Sequence, residues 1–299
     1  MNIYEDITLI IVAYRSEKLI LRNLKILKRL KVIIVDNSNS DKLPSIIGDY
    51  KNIKLIKSKK NLGYGKAVNL GFKFVNTSFI LTVNPDLILE ENQIKRLLNV
   101  FLEDQNNIGI LAPSLLDDKM NNRSHGSISY IEKLKHKKIL QSSNNIAVGN
   151  ICCKFLWGSC FLIKKDFFKM IGGFDEKFFM YFEDNDLCDR ALKTGKYIME
   201  TPFSKFVHLQ NSSYEKKLFT ESKLSIIHKV SSYLYLKKNT NYSFLFFQLF
   251  KNFFDYFQRM IFNFLILRLK KSYKNLLRLI SIFLYITKSY NFFYKIWKL

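Results

Sequence analysis

Carboxylates crowd one stretch of the chain. Between Gly172 and Arg190, Asp175, Glu176, Glu183, Asp184 and Asp186 stand among Phe174, Phe178, Phe179, Tyr181 and Phe182, a mixture that a surface helix seldom carries. Glu183-Asp184-Asn185-Asp186 then runs into Leu187, Cys188, Ala191 and Leu192. That is the pattern of a helix whose first turn is acidic, where unpaired amides and the macrodipole favour negative charge. Gly172 and Gly173 allow a tight backbone turn ahead of it that a Cβ would hinder. A carboxylate held by such a turn at the mouth of a cleft is placed to accept a proton. The plain alternative is a capped, solvated helix start, and the rest of the chain must decide between the two.

Other polar residues fall at the ends of short apolar runs. ITLIIVAY at 7–14 has the composition of a strand buried on both faces. Residues 17–30 carry Ile20, Leu24, Leu27 and Leu30 on one side of a helix, and KVIIV at 31–35 forms a second strand ending in Asp36-Asn37-Ser38. Strand, helix, strand implies a parallel pair with a right-handed crossover. Ligands of such sheets gather at the carboxyl ends of the strands, where Tyr14 and Asp36 sit. A third strand at 53–58 leads into Lys59–Asn69, where Asn61, Gly63, Gly65 and Lys66 open a helix. A P-loop would need glycine at Lys60 and a hydroxyl at Ala67, and a dinucleotide fingerprint would need glycine at Val68. The loop therefore reads either as a close approach to a ligand or as a tight turn.

Residues 78–83 give a further strand, stopped by Asn84-Pro85-Asp86, since proline fixes φ and leaves the ladder. A helix at 92–104 and a strand at 108–116 come next. From Asp117 to about Asn150 the pattern dissolves into a long loop, in which His125 and His136 read as solvated histidines. Order returns at 155–164, which contains Trp157 and Gly158, and in strands near 197–200 and 205–209, with His208 near the end of the last.

The chain has 299 residues, 48% hydrophobic and 24% charged, enough for a packed core in one sizeable domain plus an appendage, or in two small domains. Its formal net charge of +23 implies an anionic partner. Cys152, Cys153, Cys160 and Cys188 form no CxxC pair, as expected of reduced thiols in a cytoplasm. Glu5 and Asp6 precede the first apolar run, which reads as a strand and not a signal peptide. No uninterrupted apolar run of about 18 residues occurs, so no membrane-spanning helix is expected.

Taken in order, the segments IIVAY, IIVDNSNSD, NLGYGKAVNLG, LTVNPD, WGSCFLI, GGFDEKFFMYFEDNDLCDR and FVHLQNSS resemble the family 2 glycosyltransferases. The likeness is to the bacterial rhamnosyltransferase-like branch in particular, which builds surface polysaccharides, and it spans residues 10 to about 213. It implies a GT-A fold, a nucleotide-sugar α/β domain over residues 1–213 around a largely parallel sheet. It implies an inverting transferase with a nucleotide-sugar donor, dTDP-rhamnose as first choice, and a glycan or lipid-linked acceptor. Tyr14 would stack on the base, and Asp36, an acceptor-only carboxylate, would take the pyrimidine N3–H. Asn61, Gly63 and Lys66 would approach the nucleotide and its phosphates. Asp86 stands where the family's metal-binding Asp-x-Asp ends, with Asn84 at its first place, as that branch also shows. Asp86 and His208 would hold Mn²⁺ or Mg²⁺. Asp184 matches the family's catalytic base, with Trp157, Gly158 and Glu183 on the sugar and acceptor side. Arg15 departs from the family, which commonly has asparagine there, and the 117–150 loop is where acceptor choice would be decided.

Residues 214–299 differ in kind. They hold more than half of the net charge and a crowd of aromatics, among them Phe244, Phe246, Phe247, Phe250, Phe253, Phe254, Tyr256, Phe257 and Phe262. Lys251, Asp255, Arg259 and Arg268 interrupt every apolar run. Basic, aromatic helices of this type lie in the interface of an anionic membrane, here the inner face of the cell membrane. A dimer interface and a helical bundle packed on the first domain are the alternatives. A nucleic-acid-binding protein is a rival reading of the charge, but the chain carries no nucleic-acid motif and no nucleic acid is expected as partner.

Overall fold

The computed structural model describes residues 2–123, 126–135, 149–209, 218–291 and 294. His125, His136, the end of FVHLQNSS and the expected boundary at 213/214 lie outside the described residues. The chain forms two compact units: Met1–Glu176 with Glu183–Tyr214, and Lys177–Phe182 with Glu215–Leu299. The six residues Lys177–Phe182, which the sequence reading gives to the first domain, thus belong to the second unit.

The first unit runs α1 (Ile3–Asp6), β1 (Ile7–Ala13), α2 (Glu17–Leu27), β2 (Lys31–Asp36), α3 (Lys42–Ile47), β3 (Ile53–Lys57), α4 (Tyr64–Phe72), β4 (Phe79–Val83), β5 (Leu87–Ile88) and α5 (Glu91–Glu103). Then come β6 (Ile108–Leu116), β7 (Asn122–Arg123), β8 (Gly126–Ser127), α6 (Tyr130–Lys135), β9 (Ile151–Cys153), β10 (Phe155–Leu156), β11 (Cys160–Lys164), α7 (Lys165–Met170), α8 (Glu183–Leu192) and β12 (Tyr197–His208). The main sheet follows the order β3-β2-β1-β4-β11-β6-β12-β5. β1, β2, β3 and β4 are parallel, β11 runs antiparallel between β4 and β6, and β6 pairs in parallel with β12.

Register decides what meets at the sheet edge. Ala13 lies opposite Asp36, Asp36 opposite Lys57, and Ile11 opposite Val83. Cys160, the first residue of β11, faces Val83, and Leu116 faces Val207. Every long strand but β11 therefore ends along one edge, and β11 begins there. Alternate residues feed two apolar layers, because successive strand side chains point to opposite faces. Leu9, Ile11, Ile34 and Leu81 meet Ile20, Leu43, Leu97 and Phe101 of α2, α3 and α5. Ile10, Ile33, Val35 and Ile80 meet Ala67, Val68, Phe168, Leu187 and Ala191 of α4, α7 and α8.

Three expectations are adjusted. The described part of 117–150 contains β7, β8 and α6, elements of two to six residues, too short to leave a periodic signal. The apolar run 155–164 is broken into β10 and β11 by a turn at Trp157-Gly158-Ser159. Conversely, the strands expected at 197–200 and 205–209 are one strand, β12, which ends at His208 and whose register shifts between Thr201 and Lys205. Pro202 lies inside that bulge, where its missing N–H costs no ladder bond.

The second unit contains α9 (Leu218–Asn239), α10 (Tyr242–Leu265) and α11 (Leu269–Ile286). Ile226 and Val230 of α9 bury against Leu277 of α11, and α10 packs on α11. Asn241 caps α10 by accepting from the Phe244 amide. Leu245, Gln248 and Tyr256 of α10 are buried, yet Phe246, Phe247, Phe250, Phe253, Phe254 and Phe257 of the same helix are exposed. Among the described residues no helix is long and apolar enough to cross a membrane.

Candidate active site

The acidic first turn of α8 holds three carboxylates in three environments. Asp186 pairs with Arg190 one turn on, at 2.9 Å, and its charge is thereby neutralised in a buried place. Glu183 is buried, its Oε2 accepts no hydrogen bond, and burial pushes its carboxyl well above the usual range, the neighbouring Asp184 charge adding to the rise. Asp184 is half-buried. Burial raises it too, but the Gly158 amide donates to its Oδ2 at 3.1 Å and the Asn185 amide to its Oδ1 at 2.8 Å, both favouring the ionised form. Two like charges this close do not ionise together. Asp184 is the one that gives up its proton first, while Glu183 stays neutral.

Gly158 belongs to the turn between β10 and β11, and its carbonyl accepts from the Tyr64 hydroxyl at 2.6 Å. A Cβ there would stand 3.4 Å from that of Asp184 and 3.5 Å from the Tyr64 ring. Tyr64 opens α4, and α4 is tied in turn to the glycine turn: Asn69 donates to the Phe174 carbonyl at 2.8 Å and accepts from its amide at 2.9 Å. Gly172 and Gly173 have φ +82° and +62°, the left-handed region that favours glycine. Gly65 serves this packing, since a Cβ on it would lie 2.8 Å from that of Phe174. Its close approach is to a phenylalanine. Trp157 beside Gly158 is exposed.

At the carboxyl ends of β1 and β2, Asp36 is fully buried and accepts from the Ser38 amide at 2.9 Å, the Ser38 hydroxyl at 2.7 Å and the Ser40 amide at 2.6 Å. A carboxylate has about four acceptor positions, so one further donor can be met. Tyr14 is partly exposed, and the Arg15 guanidinium lies 5.4 Å from its ring centre. Arg15 has φ +52°, a conformation asparagine tolerates better than arginine. The Asn61–Lys66 loop is clamped to β2: Asn37 donates to the Gly63 carbonyl at 2.9 Å, and Asn61 accepts from the Gly63 amide at 2.9 Å. Gly63 has φ +80°. Lys66 is ion-paired with Glu176 at 2.9 Å.

Past β4, Asn84 donates its amide to the Ser159 carbonyl, and the Asp86 carbonyl accepts from Leu209. These bonds tie the Asn84-Pro85-Asp86 turn to both the Gly158 turn and the end of β12. His208 Nε2 then lies 3.3 Å from Asp86 Oδ1. The two atoms are close enough to share one cation through bonds of about 2.1 Å. His208 Nδ1 is buried and makes no hydrogen bond. Among the described residues no cluster of three or more His, Cys, Asp or Glu could hold an ion alone. One oxygen and one nitrogen donor at this spacing fit two places in the shell of a divalent cation.

Asn37, Tyr64 and Asn69 were not singled out from sequence, although all three fix site residues in place. All three do lie within the matching segments, but their partners are 26, 94 and 105 residues away.

An α/β unit whose parallel strands end along one edge beside Asp36, Asp86 and Asp184 is a nucleotide-sugar domain of the GT-A type. A solved mannosyltransferase, PcManGT from Pyrobaculum calidifontis in complex with GDP-Man and Mn2+, superposes with a TM-score of 0.52 at 13% identity, covering 95% of this chain and 75% of that one. GalNAc-T7 with UDP, GalNAc and Mn2+ gives a TM-score of 0.53 at 12% identity over 78% of this chain, which spans 50% of GalNAc-T7. Residues 8–172 match Glycosyl transferase family 2, and residues 151–212 match the N-terminal domain of galactosyltransferase. The chain belongs to glycosyl transferase family 2. The N-acetylglucosaminyl-diphospho-decaprenol L-rhamnosyltransferase of Mycobacterium tuberculosis is 27% identical over 240 residues, 69% of this chain and 74% of that protein. The dTDP-rhamnosyl transferase RfbF of Shigella flexneri is 27% identical over 226 residues, 69% of each chain.

The two adjacent carboxylates should respond differently to removal of charge. Asp184→Asn keeps the shape but cannot accept a proton, and kcat should fall by about 10²- to 10⁴-fold with donor affinity nearly unchanged. Glu183→Gln replaces a group already neutral, and kcat should stay within about three-fold. Steady-state kinetics on both variants checks this, and a Glu183→Gln enzyme as inactive as Asp184→Asn contradicts the assignment.

Proposed function

We propose that the enzyme transfers L-rhamnose from dTDP-rhamnose, with inversion, to a glycan or lipid-linked hydroxyl in the synthesis of a bacterial surface polysaccharide. The observation that carries the reaction type is Asp184: a half-buried carboxylate that accepts from the Gly158 and Asn185 amides, which offset part of the rise that burial imposes, beside the more deeply buried Glu183. The donor and acceptor classes rest on the two rhamnosyltransferase relatives.

In this reading Tyr14 stacks on the thymine, and Asp36 uses its remaining acceptor position for the base N3–H. Asn61 and Gly63 shape the loop that meets the nucleotide, and Lys66 leaves Glu176 to meet phosphate. The acceptor oxygen bonds to the anomeric carbon as its proton passes to Asp184, the carbon–oxygen bond to the diphosphate breaks, and dTDP departs. One displacement on one face gives inversion, so no second nucleophilic carboxylate is required. Trp157 offers an apolar face to the sugar, and Glu183, as a neutral acid, can donate a hydrogen bond to the acceptor side. Asp86 and His208 would hold a divalent ion, Mn²⁺ or Mg²⁺. Such an ion, when bound, neutralises charge on the leaving diphosphate.

The test is incubation of the purified enzyme with dTDP-rhamnose and a short N-acetylglucosaminyl-diphospho-polyprenol, with and without EDTA, followed by NMR of the product's anomeric proton. The reading expects a configuration opposite to the donor's and loss of turnover on chelation. Retained configuration would refute the single displacement, and full activity in EDTA would refute the metal role of Asp86 and His208.

We assign the exposed aromatic face of α10 to an anionic membrane surface on the cytoplasmic side. Exposed phenylalanines line it, and Lys251 lies 5.8 Å from the centre of the Phe247 ring. Each lysine or arginine near such a surface adds about 1 kcal/mol of attraction, and the rings supply the apolar part. The protein should float with vesicles containing phosphatidylglycerol and not with phosphatidylcholine alone; absence from both floating fractions removes the membrane from the account.

A further inference from the structure

The second unit contains one piece of chain that is not C-terminal. The backbone enters it at Lys177, leaves at Phe182, and the next residue, Glu183, begins α8 of the catalytic unit. Asp184 follows at once. Phe182 thus stands two residues ahead of the base, and its φ and ψ set the direction in which the chain enters α8.

Inside the second unit this segment is held closely. Ser231 of α9, fully buried, donates its hydroxyl to the Met180 carbonyl at 2.8 Å. One turn earlier, His228 receives the Tyr181 and Phe182 rings edge-on, each with centroids 5.2 Å from its own. Burial, with the Lys229 charge beside it, holds the His228 imidazole down at about 4, so it meets those rings as a neutral ring near neutral pH. Phe182 also packs against Tyr235 at 5.5 Å, and Phe179 against Tyr294 at 5.2 Å.

The backbone there is strained. Tyr181 and Phe182 both have φ +68°, a left-handed conformation that is costly for an aromatic residue and persists only where surroundings over-determine it. Two such residues in succession would relax to ordinary backbone if nothing opposed it. The Ser231 hydrogen bond and the His228 and Tyr235 ring contacts are among the interactions that oppose it. Relaxation at 181 and 182 would swing the chain entering α8, and with it the carboxylate that must meet the acceptor hydroxyl.

We propose that Ser231 is a positioning residue for transfer: through the Met180 carbonyl it keeps Tyr181 and Phe182 in the strained turn that aims Asp184. This role is separate from any that the second unit plays at a membrane. This role for Ser231 rests on Asp184 as the base.

Ser231→Ala tests it, since alanine suits a buried helix position and removes only the hydroxyl. Two readouts are taken on the full-length protein. Hydrogen exchange by mass spectrometry should rise at the amides of 180–186 and stay level in β1–β4. Turnover, with the donor that supports wild-type transfer, should fall about 10- to 100-fold, as a small misplacement of a reacting group does, with KM for the donor within about two-fold. Wild-type exchange at 180–186 overturns the proposal, and so does wild-type kcat, or loss of donor binding in step with kcat. The exchange readout needs no substrate. Failure of the rhamnose reading would show instead as a wild-type protein inactive with dTDP-rhamnose, and leaves that readout standing.

Discussion

The structure depends on one hydrogen bond, from the Gly158 amide to the Asp184 carboxylate. A carboxylate taken partly out of water regains its proton unless donors replace the solvent. Two backbone amides replace it here. They are donors without conformational freedom of their own, so the stabilisation holds only while the Gly158 turn and the start of α8 stay in register. Much of the catalytic unit serves that register. β11 starts opposite the end of β4, Tyr64 grips the Gly158 carbonyl, and Asn69 pairs both backbone groups of Phe174.

The same logic sorts the acidic cluster. Asp186 is neutralised by Arg190, Glu183 is neutral through burial, and Asp184 alone combines partial exposure with donors. Cys188 on the same helix is no competing nucleophile, because burial pushes its thiol well up. Charge is thus concentrated on one oxygen pair. Along the same sheet edge, Asp36 is engaged by the Ser38–Ser40 turn with one acceptor position left, and Asp86 faces His208.

Much of this is legible in the sequence. The strands announce themselves because both faces are buried, so β1, β2 and β4 read as unbroken apolar runs, and the residues just past each run stand at the ligand edge. The acidic turn of α8 is legible for the same reason: polar residues packed among aromatics have no ordinary surface explanation. The illegible part is long-range. Nothing local says that Gly65 makes room for Phe174, that Lys66 pairs with Glu176, or that Asn69 reaches across 105 residues. Pro202 suggests a break, but the strand absorbs it in a bulge. Lys177–Phe182 looks like part of the catalytic motif, and its packing on residues of the helical unit, among them Ser231, His228, Tyr235 and Tyr294, places it there. The positive φ of Arg15, Tyr181 and Phe182 is likewise invisible, because these residue types do not ordinarily adopt it.

The central claim is that Asp184 works as an ionised base whose pKa burial has raised. The pH dependence of kcat tests it most directly, with the fold followed by circular dichroism at each pH. A base must be deprotonated, so activity is complete above the raised pKa and is lost as pH falls through it. The account predicts one acid limb, of unit slope, centred clearly above the ordinary aspartate value of about 3.9, and its absence from the residual rate of Asp184→Asn. A limb at or below that value, or the same limb in Asp184→Asn, would contradict it.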